Sequence, residues 1–225
     1  LAASIAWSYD LLTPTEQTLL RRLSVFVDGW TLDTAEAICP DPGSGTDSTL
    51  DRYHVFDALD RLVDHSLIHA IDTPTGVRFG MLETVRQYAA RRLTDHNDDA
   101  TATRRRHAVH FTAWASSLRD DLLGRADEDL FDHIDAEKAN LLAAVAATID
   151  DGRPEEALGA LVAFAPCLEY TMWAPAVTTL LALLDRIEAN VDSSATWRVL
   201  LVRQHVTVLL GDPVGELGLG HLAVG

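Results

Sequence analysis

The sequence is poor in cysteine, with only Cys39 and Cys167 among its 225 residues. Two thiols are too few for a disulfide framework or a cysteine-rich zinc site, and they suit the reducing cytoplasm. We interpret both as small buried apolar side chains. Long apolar runs are also missing: no stretch approaches the ~18–20 residues of a membrane span, and no charged-then-apolar leader opens the chain. We therefore expect a cytoplasmic protein without membrane contact.

Motifs for catalysis are missing as well. Lys138 is the single lysine and lies in a helical pattern far from any glycine loop, so the sequence has no phosphate-binding G-x-x-x-x-G-K-[ST] motif. The segment Gly43-Ser-Gly45 lacks both the lysine and the preceding strand that such a loop needs. Neither G-x-S-x-G nor H-E-x-x-H occurs. We expect that the chain is not an enzyme by itself.

Histidines offer a weak metal signal. His107 and His110 are three residues apart and could share a helix face, and His133 lies close to Asp135 in sequence. Zinc needs three or four ligands in a partly enclosed site. We therefore interpret these histidines as surface groups that flank the Phe111 stripe of an amphipathic helix, and expect neither metal nor cofactor in this chain.

The charge is strongly negative, since 34 acidic and 18 basic side chains leave a formal charge of −16. Apolar residues make up 48% of the chain, which is too many for a disordered protein even at this charge. Phosphate backbones and anionic lipids repel such a chain in bulk. The one basic cluster, Arg104-Arg105-Arg106, could contact phosphate, but three consecutive residues point in three directions around a helix. We favour a solvated helix face.

The first hundred residues follow the order of a winged-helix domain. Thr13, Pro14 and Glu16 form a capping box with proline at the first helical position, which predicts a helix start. Thr31 can cap a second helix, and a third carries apolar residues on one face. The stretches 67–71 and 77–81 predict two strands joined by a Pro- and Gly-containing turn, and a further helix follows.

Beyond the polar segment 95–99, every pattern is helical. Short breakers separate helices predicted near 154–169, 174–190 and 195–210, which favours antiparallel pairs stacked as a solenoid. The spacing is near forty residues per pair, looser than a tetratricopeptide repeat. We predict a mainly α fold: a winged-helix domain over 1–98 and a tetratricopeptide-like helical domain over 99–225, cut within an apolar pattern at its end. The chain is thus expected to be a piece of a longer protein.

A winged helix suggests DNA binding, but the charges of its third helix oppose this. The segment 51–65 would enter the major groove, where arginine, lysine, asparagine or glutamine normally read bases. It carries the acids Asp51, Asp57, Asp60 and Asp64 against two arginines. Residues 1–98 hold 15 acids and 8 bases. We expect this domain to pack against protein, with no direct DNA contact.

Several segments, taken in order, resemble the region that follows the nucleotide-binding domain of bacterial STAND ATPases. These proteins are similar to the NB-ARC ATPases and include many LuxR-type transcriptional regulators. The likeness covers about the first 145 residues well and the helical remainder loosely. It is carried by Ile5–Gln17, Leu23–Trp30, Ala58–Leu67, Arg78–Ala89, Arg105–His107 and Asp135–Leu141.

The resemblance implies a switch protein with an ATPase domain, this winged helix, sensor repeats and an output domain elsewhere. Many relatives carry Met-His-Asp after the wing, with a histidine that approaches the ADP phosphate. The matching residues here are Met81, Leu82 and Glu83, and Leu82 cannot donate a hydrogen bond. Either Arg86, one turn on, takes part in nucleotide sensing, or the domain acts by packing alone, which we favour.

The resemblance also makes Trp7, Tyr9 and Trp30 candidates for the interdomain interface, with Trp7 to Asp10 as the hinge segment. Our leading hypothesis is a non-catalytic regulatory fragment that restrains an upstream ATPase domain of the same chain, with ATP or ADP bound in the full-length protein. An unknown protein or small-molecule signal would act at the repeats. The alternatives are a winged-helix DNA-binding regulator with a helical effector domain and, third, a fragment that hydrolyses nucleotide itself.

Overall fold

The computed structural model describes residues 2–41, 50–124, 128–169 and 174–209. The chain divides into two compact units, Leu1–His110 and Phe111–Gly225. One helix, α6 (Asn97–Gly124), has residues in both units and begins inside the segment predicted as a polar break. The predicted domain boundary between residues 98 and 99 stays a prediction. The C-terminal apolar pattern of residues 217–222 lies outside the described residues.

The helices of the first unit begin at the predicted caps. The capping box of Thr13 and Glu16 is confirmed, since Thr13 N donates to Glu16 Oε2 at 2.8 Å and Glu16 N donates to Thr13 Oγ1 at 3.4 Å. Thr31 forms a second capping box with Thr34. The helices before α6 are α1 (Ala2–Asp10), α2 (Pro14–Leu23), α3 (Leu32–Ile38), α4 (Arg52–Asp64) and α5 (Glu83–Thr94).

A small antiparallel sheet completes the winged helix. Its strands are β1 (Trp30–Thr31), β2 (His69–Thr73) and β3 (Gly76–Gly80), in the order β1-β3-β2. Trp30 pairs with Phe79 and Ile71 pairs with Arg78. The predicted two-stranded wing is confirmed as the hairpin of β2 and β3, and the sequence did not indicate the additional strand β1. A two-residue strand has no alternation to recognise, and only its partner defines it.

The predicted start of β2 was also wrong. Leu67 and Ile68 were assigned to the strand because they continue an apolar run. Instead the N–H groups of both residues donate to the carbonyl oxygen of Leu62, at 3.0 and 3.4 Å. Both side chains are buried, so they close the end of α4 and contribute to the core. The strand begins only at His69, where the side chains become exposed.

The core of the first unit collects the apolar faces of α2, α3 and α4. The leucines of α2 recur at helical spacing and are fully buried. Phe26 and Trp30, which follow the end of α2, are buried as well. The prediction that these apolar residues face the core is confirmed, because they recur with the 3.6-residue period of a helix. Its fully buried large side chains include Leu19, Leu20, Leu23, Phe26, Trp30, Ile38, Leu50, Leu59 and Leu62.

The second unit is helical throughout its described residues, as predicted. After α6 come α7 (Glu128–Asp150), α8 (Pro154–Phe164), α9 (Ala174–Glu188) and α10 (Thr196–Leu209), with 3₁₀ turns at Ala165–Glu169 and Ser193–Ala195. Their buried faces form one continuous hydrophobic cluster. The mainly α fold, with a winged helix followed by a helical region, is confirmed. Its tetratricopeptide-like character stays a prediction. Across the described ranges, no helix is long and apolar enough to cross a membrane.

Candidate functional site at the winged-helix cleft

A cleft of about 420 Å³ opens on one face of the small sheet. Its wall is the segment 26–30, which links α2 to β1, and its far edge is the start of α5. Three of the predicted site residues, Trp30, Glu83 and Arg86, line it together. The fold therefore gathers residues that are more than fifty positions apart in sequence.

The floor of the cleft follows from strand alternation. Side chains at every second position of a strand share a face, and directly paired residues share it too. His69, Ile71 and Thr73 of β2 all line the cleft, as does Arg78 of β3, which pairs with Ile71. Arg78 is only 9% exposed, whereas Ile71 is 52% exposed. A buried guanidinium thus lies beneath an open apolar rim.

Two glycines let the backbone and a ring approach closely at this site. Gly29 has φ +98°, and a side chain there would collide with the carbonyl of Phe79. A Cβ atom on Gly80 would lie 2.6 Å from Nε2 of His69, so the imidazole occupies the space above this glycine. A larger residue at Gly29 would push segment 26–30 away from β3, whereas one at Gly80 would displace the imidazole of His69.

Glu83 and Arg86 form a tight ion pair at the cleft edge. Arg86 Nε and Nη2 donate to the two carboxylate oxygens of Glu83 at 2.7 and 2.8 Å, and Gln87 Nε2 donates at 2.9 Å. The hydrogen bonds from Arg86, followed by that from Gln87, lower the pKa of Glu83 to about 2. The same hydrogen bond raises the pKa of Arg86. Glu83 therefore neutralises the arginine that faces the cleft.

Trp30 forms part of the inner wall and is 2% exposed. Its ring packs against Phe26 with ring centroids 5.5 Å apart. Its Nε1 is buried and donates to no acceptor among the described residues. As an interface candidate, Trp30 could act only through the cleft wall, because its own surface is enclosed within the first unit.

The other predicted residues lie apart from the cleft lining. Leu82 is the N-cap of α5, 64% exposed and without a side-chain capping bond. Trp7 lies on α1 and is 67% exposed. The segment from Trp7 to Asp10, predicted as a hinge, belongs to this helix. Tyr9 is buried against Tyr88, and its hydroxyl accepts from Arg21 Nη1 at 2.9 Å. Of the three interface candidates, Trp7 is therefore exposed and Tyr9 and Trp30 are buried, and the roles of these residues and of Leu82 stay predictions.

Sequence reasoning missed the deeper cleft residues. Arg78 enters the sequence analysis only as the start of the segment Arg78–Ala89, and His69, Asp28 and Gly29 are not predicted as site residues. Alternation along β2 and β3 could have placed His69 and Arg78 on one face. The close approach of segment 26–30 depends on the pairing of β1 with β3, which the sequence did not indicate.

Helix α4, in the position of a DNA-reading helix, presents an acidic surface. Arg52 Nε contacts Glu36 Oε2 at 2.8 Å and Arg61 Nε lies 3.6 Å from Glu16 Oε1, so both arginines pair with acids of the same unit. The exposed residues of this helix also include Tyr53, Phe56, Asp57, Asp60 and Asp64.

The predictions for His107 and for the two cysteines concern positions outside the cleft lining. His107 is 3% exposed with its ring 5.5 Å from that of Phe26, so its predicted place at the helix surface was wrong. No group of three histidine, cysteine or acidic side chains in the described part of the chain could hold a metal ion. Burial raises the pKa of Cys39 to about 12 and that of Cys167 to about 11, so both thiols stay protonated near neutral pH. The Gly43-Ser-Gly45 segment lies outside the described residues.

The fold and the comparison with known proteins agree that this chain contains a winged helix-turn-helix domain. Residues 12–94 match the family model of the winged helix-turn-helix domain. The chain is 42% identical over 162 residues to the Mycobacterium tuberculosis protein named "Putative HTH-type transcriptional regulator Rv0890c", and equally to its Mycobacterium bovis counterpart Mb0914c. That match covers 70% of this chain and 17% of each relative.

A second relative is similar over a shorter stretch. The M. tuberculosis protein named "Uncharacterized protein Rv0894" is 32% identical over 110 residues, which cover 49% of this chain and 26% of that protein. No solved structure matches the chain. The chain spans about a sixth of the length of Rv0890c and of Mb0914c.

Proposed function

We propose that this chain is a non-catalytic regulatory section of a STAND-type ATPase regulator of the LuxR kind. In this proposal the winged helix restrains the nucleotide switch of an upstream NB-ARC-like domain. The tetratricopeptide-like helices sense a protein or small-molecule signal, and the full-length protein binds ATP or ADP in the cytoplasm. The observation that carries the proposal is the pairing of both α4 arginines with acids of their own unit.

The state of α4 favours a protein partner over DNA. A reading helix needs free donors at base edges and cations near phosphates. Here the guanidinium groups of Arg52 and Arg61 are engaged by carboxylates, and Asp57, Asp60 and Asp64 remain exposed. Approach of a duplex would bring its phosphates towards the exposed carboxylates of this helix. A protein surface can meet the same helix without that electrostatic cost.

The cleft supports a packing role more than direct phosphate contact. Leu82, which the resemblance to STAND ATPases aligns with the histidine of their Met-His-Asp motif, has an alkyl side chain that donates no hydrogen bond. Arg86 is held by Glu83 through two hydrogen bonds, so a phosphate would have to displace a carboxylate. The exposed rim residue Ile71 and the neighbouring Leu82 instead offer apolar surface to an adjoining domain. The length of the matched relatives leaves ample chain for that domain.

A pair of wing variants of the full-length protein tests this proposal. Ile71 and Val77 are 52% and 49% exposed, but the strand register places them on opposite faces of the hairpin. If the cleft face packs on the ATPase domain, Ile71→Asp should speed release of a fluorescent ADP analogue about tenfold, equivalent to about 1.4 kcal/mol. Val77→Asp should leave the rate unchanged. Equal release rates for wild type and Ile71→Asp would contradict the packing role.

The second candidate function is DNA binding by the winged helix, with the helical region as effector domain. The match to the winged helix-turn-helix domain and the names of the relatives favour it. It predicts tight duplex binding with a steep salt dependence. A mobility-shift assay of the full chain at ~50 mM salt decides the matter, because absence of binding at such low salt removes this candidate.

A further inference from the structure

A second cavity, separate from the winged-helix cleft, lies within the first unit between α3 and the beginning of α6. It is a groove of about 820 Å³. One face of α6 runs along the groove and contributes Asp98, Ala102, Arg105 and Val109, which recur at helical spacing. Ala37 of α3 lines the opposite side. The volume falls in the range of sites for small organic ligands.

The groove contains two arginines that form no direct ion pair with a carboxylate of the described residues. Arg105 is exposed and makes neither a hydrogen bond nor an ion pair with any residue of the described ranges. Arg106 is half-buried, and its Nε donates to the carbonyl oxygen of Ile38 at 2.6 Å while its Nη2 donates to Thr103 Oγ1 at 3.1 Å. Its Nη1 forms no hydrogen bond with a described residue. Guanidinium N–H groups of Arg105 and Arg106, which are adjacent in sequence, are therefore available to donate hydrogen bonds to an anion at the same position along the groove.

The acids close to Arg106 are already engaged by a third arginine. Arg22 contacts Asp41 at 2.6 Å and Asp99 at 2.8 Å. Burial lowers the pKa of Arg106, and the nearby charge of Arg22 lowers it further. A positive charge in this position is stabilised when an anion approaches it. The groove lining thus carries two arginines against the one carboxylate of Asp98, on a chain with a formal charge of −16.

The rest of the groove suits an apolar group. Small alanine side chains from both helices line it, and Val109 is 46% exposed one turn beyond Arg105. Asp98 lies two turns before Arg105, about 10 Å along the helix axis. Its carboxylate repels a second anionic group at that level. The arrangement fits a ligand with a single anionic head and an apolar body.

We propose that this groove binds a small amphipathic organic anion, a carboxylate whose head lies between Arg105 and Arg106 and whose apolar chain contacts Ala37, Ala102 and Val109. Such a ligand would bind the winged-helix unit itself, at a place distinct from the cleft and from the helical region. This inference is independent of the proposed restraint on an ATPase domain.

Titration calorimetry of the full chain with octanoate tests the proposal. We expect saturable binding with a Kd on the order of 1 mM or tighter. Arg105→Gln, at an exposed position, should weaken binding at least about tenfold. Arg104→Gln is the matched control, because Arg104 is the neighbouring exposed arginine and donates to Thr94 instead of lining the groove. This control should bind as wild type does.

Two further probes separate the contributions of charge and apolar surface. The neutral alcohol 1-octanol and inorganic phosphate should each bind at least about tenfold more weakly than octanoate, because each lacks one half of the recognised chemistry. Three results would overturn the proposal: no saturable binding of octanoate at about 10 mM, equal losses in the Arg104 and Arg105 variants, or phosphate binding as tightly as octanoate. Circular dichroism of each variant checks that the helices are retained.

Discussion

A Cβ atom built on Gly29 would lie 2.5 Å from the carbonyl oxygen of Phe79. This contact joins the segment after α2 to the central strand β3, next to the pairing of Trp30 with Phe79. The neighbour is backbone, which cannot rotate away as a side chain could. Both the close approach and the φ of +98° at Gly29 therefore require glycine.

We expect Gly29→Ala to lower the free energy of unfolding by about 2–4 kcal/mol, since strain at φ and a backbone collision add together. Gly76→Ala is the matched control. Gly76 also has a positive φ, +116°, but nothing lies within 4 Å of a Cβ there. Its loss should be about 1 kcal/mol. Urea unfolding followed by circular dichroism measures both, and equal losses would show that the contact with Phe79 is unimportant.

Local chemistry explains which parts of the fold were predictable. The capping box of Thr13 and Glu16 uses only residues three positions apart, so the helix start could be predicted from sequence and is confirmed. The helical stripes of the second unit follow the same logic of short-range periodicity. By contrast, Leu67 and Ile68 form an apolar pair that satisfies either a strand or a helix end, and only their contacts with Leu62 decide between them.

The candidate site was only partly predictable for a related reason. Glu83 and Arg86 are one turn apart, and their proximity follows from helix geometry. The position of Arg78 beneath Ile71 depends on the register of β2 with β3, and the position of Trp30 depends on β1. These are long-range pairings that hydrophobic patterning does not specify. The functional roles of these residues stay predictions.

Arg22 should contribute strongly to the stability of the first unit. Its buried guanidinium contacts Asp41 and Asp99 and donates to the carbonyl oxygen of Cys39 at 2.7 Å. We expect Arg22→Met to lower the free energy of unfolding by about 3 kcal/mol, because the carboxylates lose their partner in a poorly solvated place. Chemical denaturation measures the loss.

A double variant identifies the cause of that loss. If unpaired carboxylates are responsible, adding Asp99→Asn to Arg22→Met should restore about 1 kcal/mol, since one stranded charge disappears. The exposed Arg91 provides a control position, where Arg91→Met should change stability by less than about 0.5 kcal/mol. A further loss in the double variant would argue against this explanation.

The ion pair of Glu83 with Arg86 makes a prediction about pH. The folded-state pKa of Glu83, about 2, lies below the usual value of a glutamate. The pair therefore stabilises the folded state above about pH 4.3, and this contribution is lost as pH falls toward 2. A carbon-13 titration of the Glu83 carboxyl should give a midpoint near 2. In Arg86→Gln the midpoint should move upward, and an unchanged midpoint would exclude Arg86 as the main cause.

Leu82 offers a stabilising substitution at the start of α5. As N-cap it has extended backbone, with φ −59° and ψ 140°, and no side-chain hydrogen bond to the first turn. Asparagine at this position can accept from that turn, whereas leucine and alanine cannot. We expect Leu82→Asn to unfold with about 1 kcal/mol more free energy than Leu82→Ala. Because Leu82 is 64% exposed, removing it should cost little in packing. If thermal and urea unfolding instead rank Leu82→Ala as the more stable variant, Leu82 contributes apolar contacts that outweigh the cap.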